Sequence, residues 1–257
     1  MLRLIMTRVF LGCVTLFAVT LLIFAATEIL PGDVASAVLG QGATPETLAA
    51  FRIELGLDRP AYVRYLEWLT NALQGDLGIA MTNKREVLAT ITPRLYNTLF
   101  LAGYAAAIAV PIAIILGIIA AINEGKWIDR AANILTLGAI SVPEFFIAYI
   151  LILVFATNLG WFPSLSTVYG DMGFWQKIHV VALPALTLTM LVMAHMLRMT
   201  RASVLAIMSQ PYIEMAFLKG LPRRRVILRH ALPNAAAPII SVVALNLAYL
   251  IVGVVVI

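Results

Sequence analysis

Long apolar stretches alternate with short polar ones along most of this chain. Five of the apolar stretches are long enough to cross about 30 Å of hydrocarbon as helices. They lie at 9–27, 97–122, 131–155, 178–197 and 234–257. The third is interrupted by Ser141-Val142-Pro143-Glu144-Phe145. Pro143 removes a backbone donor there and predicts a kink, as Pro184 does in the fourth. The pattern predicts an all-α protein, a polytopic bundle of transmembrane helices.

Residues 31–93 hold no apolar run long enough to span a membrane, and they predict short helices instead. Thr44-Pro45-Glu46 is a helix start, and Gly56 can end that helix. Asp58 can cap a second helix, from 59 to 73, which Gly75 would stop.

A second water-compatible segment, 209–233, lies between the fourth and fifth apolar runs. Ser209 and Pro211 are start signals for a helix, and Glu214 falls in its first turn. Gly220 can end this helix in the left-handed conformation, and Pro222 forbids its continuation. Residues 223–231 predict a second short helix that Pro233 closes, so the segment predicts a helix–turn–helix elbow.

The first helix of this elbow places an apolar stripe on one face. Ile213, Ala216, Phe217 and Gly220 follow the i, i+3, i+4, i+7 rule. We expect this stripe to dock into a partner's groove, with Ile213, Ala216 and Phe217 carrying more of the docking energy than the arginines of the elbow.

Composition makes this an integral membrane protein. The chain has 257 residues, 62% of them hydrophobic and 12% charged, with a mean hydropathy of +0.97. A soluble domain has a mixed surface to cover and is not this apolar.

The positive charge lies mostly in one loop. Residues 198–233 hold seven Lys or Arg and a single Glu, a net charge of +6 against +5 for the whole chain. Together with Arg3 and Arg8, this loop predicts a cytoplasmic N-terminus and an external 31–93 segment. Membrane lipid explains such basicity better than nucleic acid does. The run of Arg223, Arg224, Arg225 and Arg229 is therefore expected to anchor the topology first and to contact a partner second.

Motifs for catalysis or metal binding are absent from the sequence. There is no G-x4-G-K-[ST] phosphate loop, and His179, His195 and His230 are scattered. The single Cys13 allows no disulfide within the chain. We therefore expect no enzymatic activity and no cofactor bound by this chain.

Glu144 is a carboxylate near mid-membrane, where charge is costly. It either lines a water-filled path or is a structural acid that is satisfied by a partner or protonated. Ser141, Pro143 and Glu144 are the candidates for a translocation path. Glu144 and His195 are the only candidate pair of polar groups in the spans, and nothing in the sequence brings them together.

The elbow resembles the EAA loop of ABC-importer permeases, whose pattern is E-A-A-x3-G-x9-I-x-L-P. Here Glu214-Met215-Ala216 is followed after three residues by Gly220, and nine residues later by His230-Ala231-Leu232-Pro233. Met215 departs from the first Ala and His230 from the Ile. The His form, with Arg229 before it, is similar to the dipeptide/oligopeptide/nickel branch of the family.

The external segment carries a second, independent resemblance to the same branch. It contains, in order, Leu30-Pro31-Gly32-Asp33, Leu55-Gly56-Leu57-Asp58, Tyr65 with Trp68-Leu69, and Gly75-Asp76-Leu77-Gly78. The Ser141-x-Pro143-x-Phe145 frame also resembles the family, although Glu144 within it is not part of that resemblance. Together the resemblances cover nearly the whole chain.

The resemblance implies a type I ABC importer transmembrane domain with a sixth span beyond residue 257. It implies three parts: an N-terminal transmembrane helix at 1–30, an extracytoplasmic helical segment at 31–93, and the permease domain at 94–257, with a cytoplasmic coupling loop at 198–233. The residues implied to couple to an ATPase are Ile213, Glu214, Met215, Ala216, Phe217, Gly220 and Arg224.

The implied partners are a second homologous permease, cytoplasmic ATP-binding subunits that hold ATP and Mg²⁺, and an extracytoplasmic solute-binding protein. The implied location is the plasma (inner) membrane of a bacterium or archaeon. Substrates of this branch include dipeptides, oligopeptides, nickel chelates, glutathione and some glycans. The competing hypothesis is a stand-alone secondary transporter or channel, which predicts internal repeats and several intramembrane charges. A membrane enzyme is the third.

Overall fold

A computed structural model of the protein describes residues 2–29, 35, 39, 44–54, 56–80 and 83–253. Within these ranges the regular structure is helical, apart from one isolated β-bridge between Ile79 and Glu86. The helices are α1 (Leu2–Ile29), α2 (Pro45–Glu54), α3 (Ala61–Leu73), α4 (Val87–Ile122), α5 (Trp127–Ser141), α6 (Glu144–Leu151), α7 (Phe174–Val180), α8 (Ala182–Met208), α9 (Pro211–Leu218), α10 (Arg223–Val226) and α11 (Leu232–Gly253). Two π-helical turns, Ile152–Asn158 and Ile227–Ala231, follow α6 and α10.

Four continuous helical stretches in the described residues are long and apolar enough to cross a membrane: α1, α4, α8 and Arg223–Val252. The pair α5 and α6, with its π-helical extension, passes the same test together. All five predicted spans are therefore present as helices. The Leu30-Pro31-Gly32-Asp33 motif and Leu55 lie outside the described residues, as do 254–257.

Polar residues alone do not end a helix, and the fourth spanning helix is longer than predicted. The fourth span was predicted to end at Leu197, but α8 runs on to Met208. Arg198 and Arg201 are good helix formers, and no Gly or Pro interrupts the added turns. The predicted fourth span is interrupted at Val181, where α7 ends and α8 begins, three residues before the kink predicted at Pro184. Pro184 itself lies in the first turn of α8, where its missing donor costs nothing.

The unit Met1–Arg94 contains α1, α2 and α3. Tyr65 of α3 is buried against Phe17 and Phe24 of α1, and its hydroxyl lies 2.9 Å from that of Thr20. The aromatic side of α3 is thus a packing face. The cap predicted at Asp58 is wrong, since the residue before α3 is Pro60, whose ψ of 135° places it outside the helix.

The unit Leu95–Ile257 is organised around α8, which contacts α5, α6 and α11. Its partner α4 presents small buried residues to it, among them Ala105, Ala113 and Gly117. A Cβ placed on Gly117 would lie 2.8 Å from Thr200 Cβ and 2.9 Å from the carbonyl oxygen of Leu197. Glycine is therefore required for this close helix approach.

The third predicted span is broken into two helices, whereas the sequence predicted only a kink at Pro143. The axes of α5 and the α6 segment differ by 101°. Val142 and Pro143 are both extended, with ψ of 130° and 139°. Since Pro143 disfavours helical geometry in the residue before it, two residues leave the helix and the chain turns sharply.

The predicted stop at Pro233 is also wrong. The chain continues as one helical stretch, Arg223–Val252, through the π-helical turn Ile227–Ala231 and past Pro233. A local π adjustment of this kind lets a helix absorb a proline that lacks a donor.

Candidate coupling elbow and membrane cavity

The elbow consists of α9, a tight turn and α10 with its π-helical extension, residues 211–231. Pro211 opens α9, where its missing N–H costs nothing. Gly220 has φ +76°, as predicted. The N–H of Gly220 donates to Phe217 O at 2.9 Å, and that of Leu221 donates to Ala216 O at 3.2 Å. These two bonds form a Schellman motif, which ends α9 and turns the chain back.

The start of α9 differs in one residue from the prediction. Ser209 lies at the end of α8, where its hydroxyl donates to Leu205 O at 3.0 Å. Gln210 precedes α9 without capping it through its side chain. Leu205 O accepts the backbone N–H of Ser209 at 3.1 Å as well, so Ser209 bonds back to the preceding turn and does not cap α9.

The predicted apolar stripe is divided between the inside and the outside of the elbow. Ile213 and Ala216 are 0% and 8% exposed and pack with Val226 and Ala231. They hold α9 against the following helix, so the expectation that they form a docking surface is corrected. Phe217 remains 39% exposed.

The exposed apolar surface of α9 is formed by Tyr212, Met215, Phe217 and Leu218, called here the α9 face. Glu214 and Arg224 are also exposed. Glu214 lies in the first turn of α9, as predicted. Within the described residues the Glu214 side chain has no ion-pair or hydrogen-bond partner, so its carboxylate is available to a second protein.

A buried ion pair lies at the end of the bundle next to the elbow, and sequence reasoning missed it. Asp129 of α5 accepts from Nε and Nη2 of Arg201 in α8, at 2.5 Å and 2.8 Å. It also accepts from the N–H of Gly125 at 3.0 Å and from Asn133 Nδ2 at 3.2 Å. Asp129 is 3% exposed. We call Asp129, Arg201 and the adjoining Gly117 contact the Asp129 junction.

The elbow is attached to the same end of the bundle. Arg223 Nη2 donates to the carbonyl oxygen of Ile122, the last residue of α4, at 2.6 Å. A cationic donor suits the negative end of a helix. Ile207 and Met208 at the end of α8 also pack against the buried side of the elbow. The elbow is therefore in direct contact with α8 and with the end of α4.

The cavity with polar lining in the membrane region lies between α6, α8 and α11 and has a volume of about 490 Å³. Glu144, His195, Asn246 and Tyr249 contribute its polar groups, and its other walls are apolar. The structure thus brings together Glu144 and His195, which the sequence could not. Ser141 does not line this cavity, and its hydroxyl donates to Leu137 O at 2.7 Å. Pro143 is exposed and does not line it either.

Comparison with known proteins assigns both parts of the chain to one kind of system. Residues 113–257 match the family described as the binding-protein-dependent transport system inner membrane component. Residues 1–102 match the N-terminal family of the same membrane components.

Several curated relatives match over nearly all of the chain. A glutathione transport system permease protein of Escherichia coli is 38% identical over 239 residues, which is 93% of this chain and 76% of the relative. Putative peptide transport system permease proteins of Brucella abortus and Brucella suis are each 36% identical over 245 residues, 94% of this chain and 77% of the relative. The sequence resemblance is confirmed: the chain belongs to the inner-membrane permeases of binding-protein-dependent ABC importers, in their peptide and glutathione branch.

Proposed function

We propose that this chain forms half of the path through which an importer carries peptides, and that the elbow receives movement from a separate ATPase. The observation that carries the proposal is the α9 face, which exposes four large apolar side chains on a helix of eight residues. An exposed apolar helix face that is held rigidly from behind is suited to enter a groove on a partner.

The partners follow from this role. The cavity lined by Glu144 is partly open, which suits closure by a second, homologous permease. ATP and Mg²⁺ belong to the ATPase subunits, and a solute-binding protein delivers substrate from outside. The names of the relatives, which transport glutathione or peptides, favour a peptide as the substrate. No observation supports the alternative of a stand-alone secondary transporter or channel.

The orientation that this role requires has a cytoplasmic N-terminus and elbow. It is supported by Arg3 and Arg8 before the first span and by the basic elbow. A cysteine at Ala50, in a chain carrying Cys13→Ser, is expected to react with an impermeant thiol reagent added outside the cell. Reaction only from the cytoplasmic side contradicts the orientation.

Phe217→Ala tests the docking role of the α9 face. Fully burying a Phe side chain contributes about 1.5–3 kcal/mol, so its removal is expected to weaken ATPase retention about tenfold or more. The measurement is co-purification of the ATPase with the detergent-solubilised permease. Leu228→Ala is the matched control, because Leu228 is apolar and 52% exposed but lies outside α9. If Arg224→Ala releases the ATPase and Phe217→Ala does not, the basic side is the docking surface.

Glu214→Ala and Gly220→Val test coupling as distinct from docking. A side chain at Gly220 would strain a left-handed residue by about 1 kcal/mol or more. In assembled complexes we expect both variants to lower substrate-stimulated ATP hydrolysis. Normal stimulation in both contradicts a coupling role for the elbow.

A further inference from the structure

We propose that the cavity between α6, α8 and α11 is a subsite for the ammonium group of a zwitterionic peptide in transit, and that Glu144 receives this group. The inference rests on the proposed import of peptides and adds a specificity-determining residue inside the membrane. The family resemblance gives Glu144 no role: the frame Ser141-x-Pro143-x-Phe145 resembles the family, but Glu144 within it does not.

Glu144 is a membrane carboxylate without a side-chain partner among the described residues. It follows Pro143 as the first residue of α6 and is partly buried. Across the described residues it has neither an ion pair nor a hydrogen bond from a side chain. The described residues that line the cavity include no Lys or Arg. Such a group is costly at membrane depth unless something arriving from outside the chain compensates its charge.

The second polar group of the cavity is His195, which also lacks a partner among the described residues. It does not form an ion pair with Glu144, although both line the same space. Tyr249 is 70% exposed and offers a hydroxyl. Asn246 Nδ2 donates to Val242 O at 2.8 Å, and the side-chain oxygen of Asn246 is left for a ligand. The cavity therefore offers acceptors and donors at separate points.

The arrangement fits a peptide better than other classes of ligand. A volume of about 490 Å³ falls within the range of small-molecule sites, roughly 300–1,000 Å³. Leu191, Val192 and Leu245 provide apolar walls for side chains. Among the described residues no three His, Cys, Asp or Glu groups are placed to hold a metal ion. An anionic lipid headgroup would be repelled by Glu144. An ammonium group instead forms a charge-assisted hydrogen bond with a carboxylate.

The amino group is a feature that chemically different peptides share, whatever their side chains. A single carboxylate can therefore serve many substrates without selecting among sequences. The donors of His195 and Tyr249 are available to the carbonyl or carboxylate groups further along the peptide.

The test uses the complete transporter in proteoliposomes, with one tripeptide and its des-amino analogue. Both are supplied at concentrations that saturate the binding protein, measured separately for each, so that the permease step limits uptake. We expect Glu144→Gln to lower uptake of the free-amino tripeptide at least tenfold and to change uptake of the analogue by less than twofold. Glu144→Asp should restore most of the preference for the amino group. Glu124→Gln, on an exposed turn, is the matched control and should behave as the unmodified protein.

The possible outcomes separate this inference from the proposed function. If the unmodified protein takes up peptide and Glu144→Gln keeps the same preference for the free-amino tripeptide, the ammonium subsite alone is overturned. Equal losses for both peptides do the same, because they indicate a general defect. Absence of peptide uptake by the unmodified transporter overturns both proposals. Should Glu144→Gln fail to assemble, Glu144→Gln with Asn246→Asp moves the carboxylate across the cavity and is expected to restore assembly and part of the preference. Failure of that restoration, in a transporter that assembles, contradicts the inference.

Discussion

Asp129 and Glu144 begin the two halves of the same broken span, yet their surroundings are opposite. Each lies in the first turn of its helix, α5 or α6, where the helix dipole favours a carboxylate. Asp129 is 3% exposed and accepts hydrogen bonds from Arg201, Gly125 and Asn133. Glu144 is more open and has no partner in the described chain.

This difference indicates what each charge is for. A carboxylate whose acceptor sites are all used, in a place closed to water, fixes the position of one helix against another. A carboxylate at the wall of a cavity that has no donor among the described residues is available to a ligand. The helices around the Asp129 junction are held rigidly, and those around the cavity leave room for a ligand.

Asp129→Ala should have the largest effect on stability. It leaves the Arg201 guanidinium, whose side chain is only 21% exposed, without its counter-charge. Breaking a buried ion pair in this way costs about 3–5 kcal/mol of the free energy of unfolding. The loss is measured as a fall in the thermal unfolding temperature of the detergent-solubilised protein. Glu46→Ala, an exposed carboxylate in the first turn of α2, is the control.

An exchange of the two charges separates the pairing from the single residues. Asp129→Arg combined with Arg201→Asp is expected to recover part of the stability that either single change removes. A double variant no more stable than the single ones means that Gly125 and Asn133, and not the ion pair, hold Asp129.

Gly117→Ala should have the next largest effect, because it pushes α4 away from α8 beside the junction. The new Cβ would meet Thr200 and the Leu197 carbonyl at under 3 Å. Overpacking of this kind costs about 1–3 kcal/mol. Gly103→Ala, elsewhere in α4 with no atom within 4 Å of the added Cβ, is the control and should not destabilise the protein. Equal unfolding temperatures for the two variants contradict close packing at the junction.

Glu144→Gln should scarcely alter stability. It removes a charge that no group in the described chain compensates, so the free energy of unfolding is expected to stay within about 0.5 kcal/mol of that of the unmodified protein. The measurement is the same thermal unfolding. A loss comparable to that of Asp129→Ala would show that Glu144 has a structural partner, and it would remove the contrast between the two sites.

Glu67→Gln should have the smallest effect, since it breaks an ion pair that is exposed. The hydrogen bond from the Arg59 guanidinium lowers the pKa of the Glu67 carboxyl below its ordinary value. A lowered pKa gives stability that is present above the unfolded-state pKa, about 4.3, and is lost as pH falls. Because both side chains are about half exposed, water and salt screen the pair. We expect the unfolding temperature to be unchanged at pH 7. A fall in unfolding temperature as large as that of Asp129→Ala would mean that burial does not explain the difference in strength between the two ion pairs.

The sequence by itself determined the features that depend on local chemistry. Runs of apolar residues indicated the five spanning stretches, because a helix that crosses a membrane makes its backbone hydrogen bonds internally and needs apolar side chains toward lipid. Gly220 and Pro222 placed the turn of the elbow, since left-handed geometry and a missing donor act within one or two residues. The pattern around Glu214 indicated the family by the same local spacing.

Only the tertiary structure decided which side chains meet. Asp129 and Arg201 are 72 residues apart, and neither carries a local mark of its partner. Ile213 and Phe217 obey one helical period, yet Ile213 turns inward because Val226 returns to cover it. Glu144 and His195 share a cavity because α5 and α6 break at 101° and bring α6 against α8. Periodicity fixes the face of a helix on which a residue lies, but packing between distant segments decides what that face touches.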